Sequence, residues 1–235
     1  MVEKRSEQRF PLRDEFKLKA VLSIIGRDDT GAPMGDSRHN WAWKGQLMDF
    51  SGAGARMQLG PGVRVREGDS CDLILTVEDL EVKVPSRISN VGETSAGVVV
   101  GLRHAIESDL TWELYRRLLE VVSLGATLEQ QVHQARPDEP GYLIDLYSSS
   151  WGSRLTVWRD AGSHAVVGFE FLLHDGLVRA AEDGEVEYLS GLHVSGSQPA
   201  TEVKAGQLHR LFQWVVPNLA EVVPEDVREF LRRFV

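Results

Sequence analysis

Between Phe16 and His104 the chain repeats one pattern, a short apolar or alternating run followed by a turn. The runs are FKLKAVLSII, WAWKGQLMDFS, GARMQLG, DLILTVEDL, EVKVPSRIS and GVVVGLRH, with turn residues between them. A period of two puts successive side chains on opposite faces of a strand, so each run is a strand candidate. Six short strands at this spacing predict a small antiparallel barrel, which closes on itself and so leaves no unpaired edge. The polar segment RDDTGAPMGDSRHN, Arg27 to Asn40, separates the first two strands and is longer than a usual hairpin loop, so it reads as a flap or an extra ribbon.

Helical spacing begins at ESDLTWELYRRLLEVVSL. Leu110, Leu114, Leu118 and Val122 lie four apart with Tyr115 and Leu119 beside them, and Ser108 is placed to cap the first turn. The next stretch, GATLEQQVHQARPDEPG, turns polar and contains Pro137 and Pro140, which predicts a helical extension and then a linker. The expected domains are therefore residues 1–135 and 136–235. The second restarts with YLIDLYSS, SRLTVWRD, AVVGFEFLLHDGLVRAA and EVEYLSGL, an antiparallel meander. It ends in two helical segments, the last with Pro224 at its first turn and Val227, Phe230, Leu231 and Phe234 on one stripe. The fold class this predicts is α+β: an N-terminal six-stranded antiparallel barrel with a helix, then a second α+β domain.

Composition limits what such a protein can do. With 42% apolar and 26% charged residues the chain is an ordinary globular one. A net charge of −9 argues against binding nucleic-acid backbones, which is driven by Lys and Arg releasing counterions from phosphates. No apolar run approaches the roughly 18 residues of a membrane span. The first residues are charged where a signal peptide has its apolar segment, so the expected location is cytoplasmic. The single cysteine, Cys71, sits in the alternating run CDLILTV and reads as a small buried hydrophobe. Seven histidines are scattered without metal-ligand spacing, and neither G-x-S-x-G nor G-x-x-x-x-G-K-[ST] occurs. No metal, no cofactor and no catalytic activity are expected.

Against that acidic balance, residues 1–27 hold seven basic and four acidic side chains. Within them KRSEQRF places Arg5 and Arg9 in R-x-x-x-R spacing, and at the end of the second strand DFSGAG places Asp49, Ser51 and Gly54 in D-x-S-x-x-G spacing. Either pattern arises easily by chance. Found in this order, one before the first strand and one after the second, they reinforce each other. Together they resemble the PilZ domain, the bacterial receptor module for cyclic di-GMP, over roughly residues 3 to 122. Residues 140 to 235 carry no recognised resemblance. The Arg27 to Asn40 insertion makes the spacing between the motifs longer than is usual in that family.

The chemistry of the motifs suits such a ligand. Guanine offers O6 and N7 as adjacent acceptors that a guanidinium fork matches, and its ring accepts a stacked Arg. In an extended arm, residues four apart point the same way about 13 Å from each other, enough to reach two parts of a dinucleotide. Asp49 can accept from the guanine N1 and N2 edge, Ser51 can bond phosphate or hold the turn, and Gly52 and Gly54 allow close approach and positive φ. The resemblance implies Arg5 and Arg9 as principal ligand residues, with Asp49, Ser51 and Gly54 as the barrel side of the site. It also places Lys4 where a basic residue bears on whether one ligand or a stacked pair is held, here a pair. The expectation is a bacterial cyclic di-GMP receptor whose N-terminal arm folds over the barrel on binding and whose residues 136–235 meet a protein partner. The alternative is a PilZ-like adaptor that binds no nucleotide and acts through residues 140–235; a third reading is an enzyme in the second domain, regulated by the first.

Overall fold

The computed structural model describes residues 8–13, 16–24, 41–135, 141–193 and 196–235. The chain divides into two compact units, Met1–Leu119 and Glu120–Val235.

The first unit contains β1 (Phe10–Pro11), β2 (Lys19–Ile24), β3 (Trp41–Phe50), β4 (Gly54–Leu59), β5 (Ser70–Val77), β6 (Leu80–Thr94) and β7 (Gly97–His104). The ladder runs β3-β2-β5-β6-β7-β4 and returns from β4 to β3, so six strands close into an antiparallel barrel. These are the six expected from the sequence. Alternation does the sorting: along β5, Cys71, Leu73, Leu75 and Val77 are buried while the residues between them face outward. Leu22, Phe50, Met57, Leu73, Val84 and Val100, all fully buried, fill the interior. Each such side chain contributes roughly 1.5–3 kcal/mol of burial. At Gly45 a Cβ would run into the Met57 and Leu59 side chains, so β3 and β4 approach too closely there for any larger residue. The extra strand, β1, is two residues long and pairs with β3, Phe10 opposite Phe50 and Pro11 opposite Asp49.

Helix α1 (Asp109–Ala126) follows the barrel, and the Ser108 hydroxyl accepts from the Thr111 amide at 3.3 Å as its cap. Most of its expected apolar face is buried, with one end left out. Leu110 is 67% exposed, whereas Tyr115, Leu118, Leu119 and Val122 are buried, and Val121 and Leu124, outside the expected row, are buried as well. A step of four residues turns a helix by about 400°, so a row four apart drifts roughly 40° per step and cannot keep one face over three steps.

The expected helical extension is absent. After Ala126 the chain forms β8 (Glu129–Ala135), which pairs with β9 (Tyr142–Ser148). The helix stops where the Thr127 hydroxyl bonds the Ser123 carbonyl at 2.7 Å and the Ser149 hydroxyl at 2.5 Å. The polar character of EQQVHQA is that of an edge strand with one side unpaired, not of a linker. The division expected at 135/136 therefore falls inside the second unit, and the units part at 119/120, within α1. Pro137 and Pro140 lie outside the described residues, as does the Arg27 to Asn40 insertion.

The second unit is a meander of seven strands in sequential order, β8 and β9 followed by β10 (Ser153–Asp160), β11 (Val166–Leu173), β12 (Gly176–Ala181), β13 (Glu187–His193) and β14 (Gly196–Pro199). Helices α2 (Glu202–Val215) and α3 (Glu225–Arg232), joined through a 3₁₀ turn at Val216–Asn218, pack against it. The α+β class expected for this half holds. Phe169 lies at the core centre, stacked on Phe212 at 5.6 Å and edge-on to Phe230 at 6.3 Å. An ionic cluster, buried at Asp145 and Arg159 and exposed at Asp226, pins α3 to the sheet: Arg159 Nε donates to Asp145 Oδ2 at 2.7 Å, and its Nη atoms donate to the Asp226 carboxylate and, at 3.0 Å, to the His164 carbonyl. No helix among the described residues is long and apolar enough to cross a membrane.

Candidate functional site

The site is built where β3 ends. The β3–β4 register shifts between Leu47 and Asp49, a bulge that turns Asp49 to the outer wall while Phe50 goes inward, fully buried. Asp49 itself is 8% exposed and holds two guanidinium groups, one on each oxygen. Arg9 Nη1 donates to Oδ1 at 2.6 Å, and Arg56 Nη2 lies 2.7 Å from Oδ2. Arg9 reaches it because the next residue, Phe10, is buried at 2% exposure and locked beside Phe50 by β1, and the Leu12 amide donates to the Met48 carbonyl at 3.1 Å. From Arg9 to Leu12 the arm is thus tied to β3. Lys4 and Arg5 lie outside the described residues.

The turn between β3 and β4 shows what Ser51 and Gly54 do within the fold. Ser51 is 2% exposed; its amide donates to the Gly54 carbonyl at 2.8 Å and its hydroxyl to the same oxygen at 3.3 Å, so it holds the turn. Gly54 is required by space and does not use a positive φ: a Cβ there would overlap the Leu102 carbonyl on β7, directly beside it in the sheet. Gly52 lies in the bend between the two strands.

Behind the turn runs a polar chain that the motifs do not signal. The Tyr115 hydroxyl of α1 donates to the Ser51 carbonyl at 2.7 Å. Having given its one proton there, it accepts from His104 Nε2 at 2.8 Å, which makes Nε2 the protonated nitrogen of the neutral ring. Nδ1 is then an acceptor for the Ser86 hydroxyl at 2.9 Å. Burial first, and the nearby Arg9 guanidinium second, push the His104 pKa down to about 4. The ring is therefore neutral near pH 7, and it fixes the tyrosine that fixes the turn.

The structure brings Arg9, Asp49, Ser51 and Gly54 of the two motifs together and adds Arg56, His104 and Tyr115, which the motifs do not name. Arg56 was the accessible one. A short turn at residues 51–53 already places Asp49 opposite residue 55 or 56 of the hairpin, and the bulge selects 56. Among the described residues no group of three or more His, Cys, Asp or Glu side chains could hold a metal ion.

Fold and site together define a small closed β-barrel whose outer wall carries an arginine–aspartate–arginine clasp at a tight, serine-held turn. No protein-family model matches this chain, and no curated protein matches it. Among solved structures it is similar to the PilZ domain of YcgR from Escherichia coli, a structure with c-di-GMP. The identity is 10% and the TM-score 0.36, over 49% of this chain and 88% of that one. A superposition this loose says nothing about ligand or activity; the closed barrel stands on its own strand ladders.

Proposed function

We propose that this chain is a cyclic di-GMP receptor of the PilZ type, a binding protein that does no chemistry on its ligand. The observation that carries the reading is the clasp itself. The second arginine of the R-x-x-x-R segment and the aspartate of D-x-S-x-x-G, 40 positions apart in sequence, meet at 2.6 Å on the barrel wall. Asp49 uses one of the five donors of Arg9, and the others remain to grip a guanine edge or a phosphate oxygen. In this reading Asp49 aims Arg9 as well as accepting from the guanine N1 and N2 edge, and Lys4 and Arg5 complete the grip from the arm. Ligand then biases the arrangement of the chain or its hold on a protein partner, with Glu120–Val235 as the output unit, in a bacterial cytoplasm.

Calorimetric titration with cyclic di-GMP tests it. Saturable heat in the wild type, lost in Arg9→Ala, is the expected result, and the stoichiometry separates one ligand from a stacked pair. A folded wild type that gives no heat overturns the receptor reading. The adaptor reading, in which residues 140–235 bind a protein without any nucleotide, would then stand in its place.

A further inference from the structure

The second unit carries a groove on the face of its sheet turned away from α2 and α3. Val157, Phe169 and Ala180 belong to the core on the helix side, so their strand neighbours Trp158, Gly168 and Ala181 point to the opposite face. These three form one row across the sheet, Trp158 opposite Gly168 and Gly168 opposite Ala181. The indole lies against the Gly168 backbone, where a Cβ would come within 3.1 Å of its Cε3. Beyond it, Ala181 and Gly184 of the β12–β13 hairpin are too small to fill the space, and a groove of about 470 Å³ remains with the half-buried Trp158 as one wall. Small-ligand pockets span roughly 300–1,000 Å³. The rim is acidic. In the next row Glu170 stands opposite Arg179 and Arg179 opposite Glu187, and Arg179 is held by both: Nη2 lies 2.6 Å from Glu187 Oε2 and Nη1 4.0 Å from Glu170 Oε1. Glu182, Asp183 and Glu185 follow in the hairpin, all exposed, and among the described residues none of the three has an ion-pair partner. From 160 to 203 the sequence holds eight acidic residues and one basic residue, Arg179.

We propose that this groove takes an arginine side chain from a basic segment of a protein partner, its guanidinium stacked on the Trp158 indole and bonded to Glu170 and Glu185. The inference deepens one clause of the proposed function, that the second unit holds a protein partner, and rests on that clause alone. An indole face attracts a cation through its quadrupole, most strongly where water is partly excluded. A guanidinium is planar and weakly hydrated, so it lies flat on the ring while its fork meets the carboxylates; a lysine ammonium cannot do both. Arg179 already has Glu187, so the hairpin carboxylates are left to an incoming cation. Their combined field draws in a basic chain and repels the phosphates of a nucleic acid. Ala181 keeps the floor open, since a longer side chain there would occupy the path of the arginine stem.

The test is an NMR titration of the isotope-labelled full chain with the peptide acetyl-Gly-Arg-Gly-Arg-Gly-amide, and with the same peptide carrying citrulline, the uncharged isostere of arginine, at both arginine positions. The wild type is expected to show saturable shifts of the Trp158 indole N–H and of the Gly168 and Ala181 amides with the arginine peptide and none with the citrulline one. Glu170→Gln/Glu185→Gln is expected to bind about fivefold more weakly or worse. Ala181→Leu, which fills the floor at an exposed position without changing charge, is expected to lose the shifts. The control Glu107→Gln/Glu129→Gln removes the same charge elsewhere and is expected to match the wild type. Unmoved groove resonances in the wild type overturn the proposal, as do equal shifts with the citrulline peptide or an equal weakening in the control. Titration of the same sample with cyclic di-GMP separates this from the receptor reading. Nucleotide binding without peptide binding overturns the groove alone; peptide binding without nucleotide binding overturns the receptor reading and leaves the groove standing.

Discussion

His104 shows how far one residue's surroundings can depart from anything its neighbours in sequence suggest. It sits at the end of an apolar strand, as a core or surface histidine might, yet its two nitrogens connect Ser86 to Tyr115 and through it to the Ser51 carbonyl. Its pKa falls to about 4 from 6.5, chiefly by burial, so the unfolded chain binds the proton more readily than the folded one. The neutral ring's contribution is therefore complete above about pH 6.5 and is lost as pH falls through the window down to about 4, by up to about 3 kcal/mol. Carboxylates titrate in the same window, so the comparison is with His104→Gln. Between pH 6.5 and 4 the wild type is expected to lose more unfolding free energy than the variant in parallel urea titrations, and equal losses would refute the assignment. Cys71 follows its neighbours as expected: it is buried, and its thiol is pushed up to about 12 by burial and then by Asp72 and Asp69, which makes it inert.

At the scale of elements, short apolar strands were legible and polar ones were not. β5 alternates so regularly that its buried face follows from the order of its side chains. β8 is an edge strand rich in Glu and Gln, and single-sequence periodicity cannot tell such a strand from a solvated helix end. The docking of α3 was half legible: its apolar stripe is written in the sequence, but the ionic cluster beneath it joins Asp145, Arg159 and Asp226 from three separate elements. Asp145 is 3% exposed and Arg159 8%, so removing one partner strands the other charge in a poorly solvated place. Arg159→Met is expected to cost about 3–5 kcal/mol in urea unfolding, and Arg159→Met with Asp145→Leu to recover a large part of it. A double variant no more stable than the single one would show that the cluster acts through packing and not through charge.

At the scale of the whole molecule, the division between units was misplaced because composition shifts where polarity shifts, while units divide where packing does. Val121, Leu124 and Leu128 belong to the core of the second unit, and β8 is the first strand of its sheet. A fragment of residues 120–235 is therefore expected to melt cooperatively, and a fragment of residues 136–235, which lacks both, is not; scanning calorimetry of the two decides, and cooperative melting of the shorter one would restore the sequence-based boundary. What the sequence by itself determined was local: which runs are strands, that they alternate, and that an arginine-bearing arm and a D-x-S-x-x-G turn flank the first two. Those follow from side-chain period and turn chemistry, which act over a few residues. Only the tertiary structure decided that Ser51 holds the turn, that Asp49 is shared by Arg9 and Arg56, and that Trp158, Glu170 and Glu185 line one groove. Each depends on a bulge or a strand register, and registers are selected by packing among residues far apart in the chain.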